Sequence, residues 1–296
     1  MDIYQLKVAY LDPHNPVTID AERHDNLARA RRCLVDAGDF ERRYALLLGN
    51  FLAFEEYAAV SFLRDMATLN FSYEGSDLVL MEGNRHAINF FTSAKAYVDH
   101  ALSDFKDIGE KRWFMEQVKK QTKEASDRSI HYRAAEQLRN SSQHFAMPIT
   151  GYGPGPANED RDCTWFYTTK EMLSKDTRVD QQKLTDLPDK IFLNTTLRGY
   201  MRELSGIHLA LRKLVNEEVD RCRKLIEAAI LDYRAAQKEP SKVSVTGAGV
   251  ISARLTRSSP EESELVTSEA IPLLLDWDNS RLSLVEKHFV RVKLPF

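Results

Sequence analysis

The chain has 296 residues, of which 29% are charged and 43% hydrophobic, and its net charge at pH 7 is −3. That balance is too apolar for a disordered chain, and the length suffices to bury a core without disulfide or metal support. A global basic field is excluded, so any contact with nucleic acid needs a local cluster of cations.

The cysteines Cys33, Cys163 and Cys222 are odd in number and lack metal-ligand spacing, which reads as structural thiols. No cofactor or metal signature stands out. Residues 1–13 lack the apolar stretch of a signal peptide. The most apolar run, 45–54, is interrupted by Gly49-Asn50 and is too short to span a bilayer. The expectation is a cytoplasmic protein without membrane contact.

In chain order, Ile3, Leu6, Val8 and Tyr10 alternate before Asp12-Pro13, marking a strand or arm within 1–19. Thr18 or Asp20 can cap a helix through about Ala37, which Gly38 stops. A second helix runs from about Asp39 to Asn70 on the stripe Phe40, Tyr44, Leu47, Phe51, Phe54 and Ala58. Residues 71–81 read as a hairpin or loop around Glu74-Gly75-Ser76. A third helix, from about Gly83 to Ile108, sets Phe91, Ala94, Val98 and Phe105 on one face, with Asn89, Ser93 and His100 on the other side. A fourth covers about Glu110 to Glu124. Ser126 or Asp127 caps a fifth, which ends near His144 ahead of Pro148. Residues 20–148 thus form a helical bundle.

The texture then changes. Residues 149–190 hold a turn-rich loop, Gly151 to Pro156, and a strand-like CTWFYTT from Cys163 to Thr169. Residues 192–237 carry an apolar stripe from Leu197 through His208 to Tyr233, and a helix of that length reaches roughly 65–70 Å. Such a helix breaks, packs along a bundle or meets a partner chain. Over 242–296 the period turns to two, giving strands around Val250, 265–275 and Phe289 to Leu294, with an acidic loop at 258–263. The fold class is mainly α with β additions (α+β): a helical bundle, a strand-containing insert, a long helix and C-terminal β-strands.

The fifth helix ends in Arg133-Ala-Ala-Glu136-Gln-Leu-Arg139-Asn140-Ser-Ser-Gln-His144. Arg139, four residues and His144, with polar Asn140 after the Arg, resemble the signature of HEPN (higher eukaryotes and prokaryotes nucleotide-binding) domains. Arg202/His208 and Arg281/His288 fall in the same spacing range, but Glu203 and Leu282 follow their arginines. The stretch from Asn84-Arg85-His86 to Asp99-His100 also looks like the long helix preceding the motif in some bacterial HEPN-like proteins. The resemblance covers roughly residues 20–150.

It implies a helical, homodimeric, metal-independent and cofactor-free endoribonuclease of a bacterial defence or toxin type. Arg139 would hold the phosphate, His144 would move the proton and Asn140 would orient one of them, with Arg133, Asn89 and His100 as further substrate contacts. The residue types suit that chemistry. An imidazole titrates near neutral pH, and a guanidinium matches phosphate oxygens.

The family often carries a Tyr two residues after the His; Ala146 stands there. On an ideal helix the two side chains project roughly 140° apart, with Arg139 turned away from the apolar face. Two alternatives therefore stay open. One is a non-catalytic interaction or RNA-binding protein that dimerises through its long helix. The other makes Arg139 a solvated charge and His144 a C-terminal cap. Trp165-Phe166-Tyr167 reads as strand core before base-stacking platform, and His208 as a satisfied core residue.

Overall fold

A computed structural model describes residues 2–9, 15–68, 72–110, 112–144, 146–153, 155–156, 163–177, 179–257 and 265–275, the His144 side chain excepted. In chain order the elements are β1 (Ile3–Val8), β2 (Val17–Ile19), α1 (Ala21–Thr68), α2 (Tyr73–Ala101), α3 (Trp113–Arg128) and α4 (Ile130–His144). There follow β3 (Gly151–Gly153), β4 (Trp165–Thr169), α5 (Lys170–Ser174), α6 (Gln181–Leu184), β5 (Lys190–Phe192), α7 (Leu193–Ala235), β6 (Val250–Arg257) and β7 (Leu265–Pro272). The fold is mainly helical with two small antiparallel sheets. The expected acidic loop at 258–263, the strand at Phe289 to Leu294 and the pair Arg281/His288 lie outside the described residues.

The chain divides into two compact units, and α1 and α7 contribute to both. The first draws its described residues from Met1–Glu41, Asp104–Phe114 and Arg212–Leu284. Its sheet runs β2-β1-β6-β7, so the N-terminal strand pairs along its whole length with β6, from Ile3 opposite Leu255 to Val8 opposite Val250. The stripe Leu27, Ala30, Leu34, Ala37 and Phe40 of α1 is buried here, as are Val215, Val219, Ile226 and Tyr233 of α7. Cys33 and Cys222 are buried and hydrogen-bonded to each other, which together with desolvation pushes the Cys33 thiol up. Phe105 adopts a left-handed φ of 51°. Its N–H donates to Asp36 Oδ2 at 3.0 Å, while its ring packs on Phe114 at 4.8 Å; burial of that ring holds a backbone conformation the residue would otherwise avoid.

The second unit draws on Arg42–Ser103 and Met115–Leu211. Its core holds Tyr44, Phe51 and Phe54 of α1, Phe90, Phe91 and Tyr97 of α2, Trp165 and Phe166 of β4 and Tyr200 of α7. Gly83 lets α2 approach β4, since a Cβ there would stand 2.7 Å from the Phe166 ring. His208 is a satisfied core residue: its Nδ1 meets the Tyr97 hydroxyl at 2.9 Å, and its ring stacks on Tyr44 at 4.0 Å. Asn194, in the first turn of α7, takes the Phe166 N–H at 2.9 Å and donates to the Thr164 carbonyl at 3.1 Å. It serves the strand as a neighbouring strand would.

Several boundaries differ from expectation. Gly38 does not stop a helix: α1 continues through all 48 residues. A helical Gly costs about 1 kcal/mol relative to Ala, less than the burial of the flanking Leu34, Ala37 and Phe40 supplies. Described residues of 71–81 belong to α2 rather than a loop, because Ser72 caps the helix by accepting the Gly75 N–H. That helix ends at Ala101, short of Ile108. Ser129, not Ser126 or Asp127, caps α4, its hydroxyl accepting the Tyr132 N–H at 3.2 Å. Gly151–Gly153 is a strand, joining β3-β4-β5 as a second sheet.

Helix α1 is also long and apolar enough, by length and composition, to cross a membrane, with an 18-residue window of mean hydropathy 1.3. In the second unit its inner stripe packs in the core, while Leu46, Leu52, Val60, Leu63 and Met66 stay exposed.

Asn84 fastens the segment after α4 to α2. Its side-chain oxygen accepts the Ile149 N–H at 2.9 Å, and its amide donates to the Ile149 carbonyl at 3.0 Å. Replacing it by Ala strands both backbone groups in the interior, and about 2–3 kcal/mol of unfolding free energy should be lost, read from urea midpoints at constant slope.

Candidate functional site

The spacing of apolar residues treats α4 as a helix with one buried face. In the second unit it has two. Ala134, Gln137, Leu138 and Ser141 are buried on one side, and Tyr132 and Ala135 are buried on another, where Tyr132 meets Tyr200 edge-on at 4.9 Å. Arg139 follows Tyr132 and Ala135 along the helix by steps of three and four, so it turns inward rather than to solvent. Its side chain is 12% exposed and stands 3.5 Å from Glu136 Oε1. One terminal nitrogen donates to Asn140 Oδ1 at 2.9 Å.

The guanidinium lies within hydrogen-bonding reach of the Tyr200 phenol, although Arg139 Nε and the Tyr200 hydroxyl fall outside good hydrogen-bond geometry. Burial, with Glu136 adding to it, pushes the Tyr200 phenol up, and Arg139 opposes the shift. Tyr132 is pushed up by burial and by Tyr200. Both phenols stay neutral donors.

His144 closes α4 five positions after Arg139; its side chain lies outside the description. Arg133 does not face Arg139's surroundings. It donates to the Ser126 and Asp127 carbonyls at 2.9 and 3.2 Å, completing the C-terminal end of α3 as a cation there should. Asn89 and His100 are exposed on α2, and among the described residues nothing joins them to Arg139. Ser93, expected on the same side, is buried with its hydroxyl on the Phe90 carbonyl at 2.9 Å. Trp165 and Phe166 are strand core. Of the six proposed site residues, the structure brings Arg139 and Asn140 into contact. Among the described residues, no group of three His, Cys, Asp or Glu is placed to hold a metal ion.

The opposite end of α4 holds a residue that spacing did not single out. His131 lies over Gly199, where a Cβ would stand 2.5 Å from the His131 Cβ. This contact lets α4 and α7 approach closely. His131 then lines a cavity of about 220 Å³ with Ile130, Ala134 and Pro156, with Leu187, Pro188 and Lys190 to Phe192, and with Thr195 and Thr196 of α7. Burial first, and Arg202 second, hold its imidazole below the usual range, with Glu203 pulling the other way. A Gly inside an otherwise well-filled apolar helix was the one sequence signal for this approach.

The His131 shift has a measurable consequence. His131 and His86 both lie below the ordinary 6.5, so below that pH the unfolded chain binds more protons than the folded one. Stability therefore falls on acidification from about pH 6.5 and is fully present above it. His131→Asn should lose less stability than wild type between pH 7.5 and 5, measured by urea midpoints; His86 acts equally in both proteins and drops out of the difference.

Compared with protein-family models, curated proteins and solved structures, the chain shows no match.

Proposed function

We propose that this chain is a HEPN-like, metal-independent endoribonuclease, of the defence or toxin type that the resemblance implies. Arg139 holds the scissile phosphate and His144 transfers the proton. The observation that carries this reading is the setting of Arg139. Its guanidinium is largely withdrawn from water and aimed by Glu136 and Asn140, beside the Tyr200 phenol, five positions before an imidazole on the same helix. A surface charge without function would be solvated and free to reorient.

In the reaction, the 2′-oxygen bonds to the adjacent phosphorus and the bond to the 5′-oxygen breaks. His144 removes the 2′-hydroxyl proton and returns a proton to the departing 5′-oxygen. Arg139 neutralises the charge that builds on the phosphoryl oxygens. The products are a 2′,3′-cyclic phosphate and a 5′-hydroxyl. The 3.5 Å separation from Glu136 is long for a charged pair, so a phosphate competes for the guanidinium on favourable terms.

Self-association is part of the reading. The exposed Leu46, Leu52, Val60, Leu63 and Met66 of α1 support a homodimer through that face. The stripe of α7 from Leu197 to Tyr233, expected to serve as the seam, is buried within the chain. The same α1 face favours a second reading, in which the chain binds a protein partner and cleaves nothing.

Purified wild type, His144→Ala and Arg139→Lys, incubated with end-labelled single-stranded RNA with and without chelator, separate the two. The wild type is expected to yield cyclic-phosphate ends with or without chelator, and each variant to be slower by about 100-fold or more. Absence of wild-type cleavage, or equal cleavage by His144→Ala, leaves the partner-binding reading.

A further inference from the structure

We propose that the cavity beside His131 is a binding site for a small monoanion with an apolar body, an aryl or branched-alkyl carboxylate. This site stands apart from Arg139, which lies eight residues along α4, about 12 Å away.

Size comes first. An apolar cavity of about 150 Å³ accepts benzene, so the 220 Å³ here admits a body of roughly two fused rings. The walls suit such a body: Ile130, Ala134, Leu187, Ile191 and the Phe192 ring line the space.

Its polar side chains are few: His131, Lys190, Thr195 and Thr196. Thr196 is 4% exposed and lines the cavity, yet among the described residues its hydroxyl meets no hydrogen-bond partner. The same holds for the Thr195 hydroxyl and the His131 ring nitrogens. None of these atoms is among the fully buried ones that lack a partner, so the cavity keeps them accessible, and an apolar pocket carrying a few accessible polar groups is the usual form of a ligand site.

The sign of the charge follows from one cation and one helix terminus. Thr195 and Thr196 belong to the first turn of α7, whose opening amides have no acceptor inside the helix and carry the positive end of a helix of 43 residues. No acidic side chain occupies that turn. Lys190 stands at the cavity with its ammonium 3.7 Å from the Tyr167 ring centre and 5.0 Å from that of Phe192. No carboxylate pairs with it among the described residues. A carboxylate there would accept from the Thr196 hydroxyl and the helix amides while meeting Lys190. The neutral imidazole of His131 offers one further donor or acceptor.

Calorimetric titration of the full chain with 2-naphthoate, 2-naphthalenemethanol and acetate tests this. Naphthoate is expected to bind, its neutral isostere about tenfold or more weakly, and acetate not measurably, since a charge-assisted pair and a buried body are both needed. Lys190→Met should weaken naphthoate about tenfold and leave the alcohol unchanged. Ala134→Phe, which fills the cavity, should abolish both. Thr196→Val, close in shape to the native side chain, should lower naphthoate affinity even where Ala134→Phe fails to fold. Lack of naphthoate binding at millimolar concentration overturns the proposal, as does equal affinity for acid and alcohol, or binding that survives both Ala134→Phe and Thr196→Val. RNA cleavage by Lys190→Met should match wild type, so the fate of the Arg139 reading does not decide this one.

Discussion

The features of functional interest in the second unit depend on how closely α4 seats against α7. Gly199 makes that seating possible, because any side chain there would enter the space of His131. Two consequences follow along α4. At its start, His131 is held over the α7 backbone and lines the cavity. One residue later, Tyr132 meets the buried Tyr200, and this second contact gives α4 a second buried face. Arg139 lies on that face, two turns on, and is drawn in beside the same phenol.

The treatment of buried polar groups sets these positions apart from their surroundings. Several such groups in the unit are matched with fixed partners. Arg198 grips Glu55 with two nitrogens at 2.5 to 3.0 Å. Arg128 does the same with Glu203, and Asn84 and Asn194 stand in for missing strands. Desolvation would otherwise cost about 1–3 kcal/mol for each group. Against that background, Arg139 and Tyr200, whose mutual contact falls outside good hydrogen-bond geometry, and Thr196, which lines a cavity, are among the positions where stability has not been optimised. Such positions are where function is expected.

The long-range periodicities were legible in the sequence. The stripe from Leu197 to Tyr233 read directly as one helix, and the observed Leu193–Ala235 departs from the expected bounds by a residue or two at each end. The shift to period two after Glu239 announced β6 and β7. Local punctuation misled, because Gly38 and Gly75 carry the same signal whether they break a helix or sit inside one. Burial of neighbours decided the first case and the Ser72 cap the second. Pairing of β1 with β6 joins segments some 250 residues apart, and no local pattern encodes it. The site followed the same rule. Arg139 and Asn140 were visible as a motif, but the inward turn of Arg139 depends on Tyr200, sixty-one positions away. His131, Lys190 and Thr196 share no spacing at all, so only folding reveals their cavity.

The close seating of α4 on α7 is tested most directly by a double-mutant cycle on unfolding free energy, pairing Gly199→Ala with His131→Gly. In the wild-type background the added methyl should destabilise by about 1–3 kcal/mol through overpacking. With His131 reduced to Gly the obstacle is gone, and the better helix propensity of Ala should turn the same substitution neutral or stabilising by up to about 1 kcal/mol. An equal effect of Gly199→Ala in both backgrounds would contradict the contact on which the account rests.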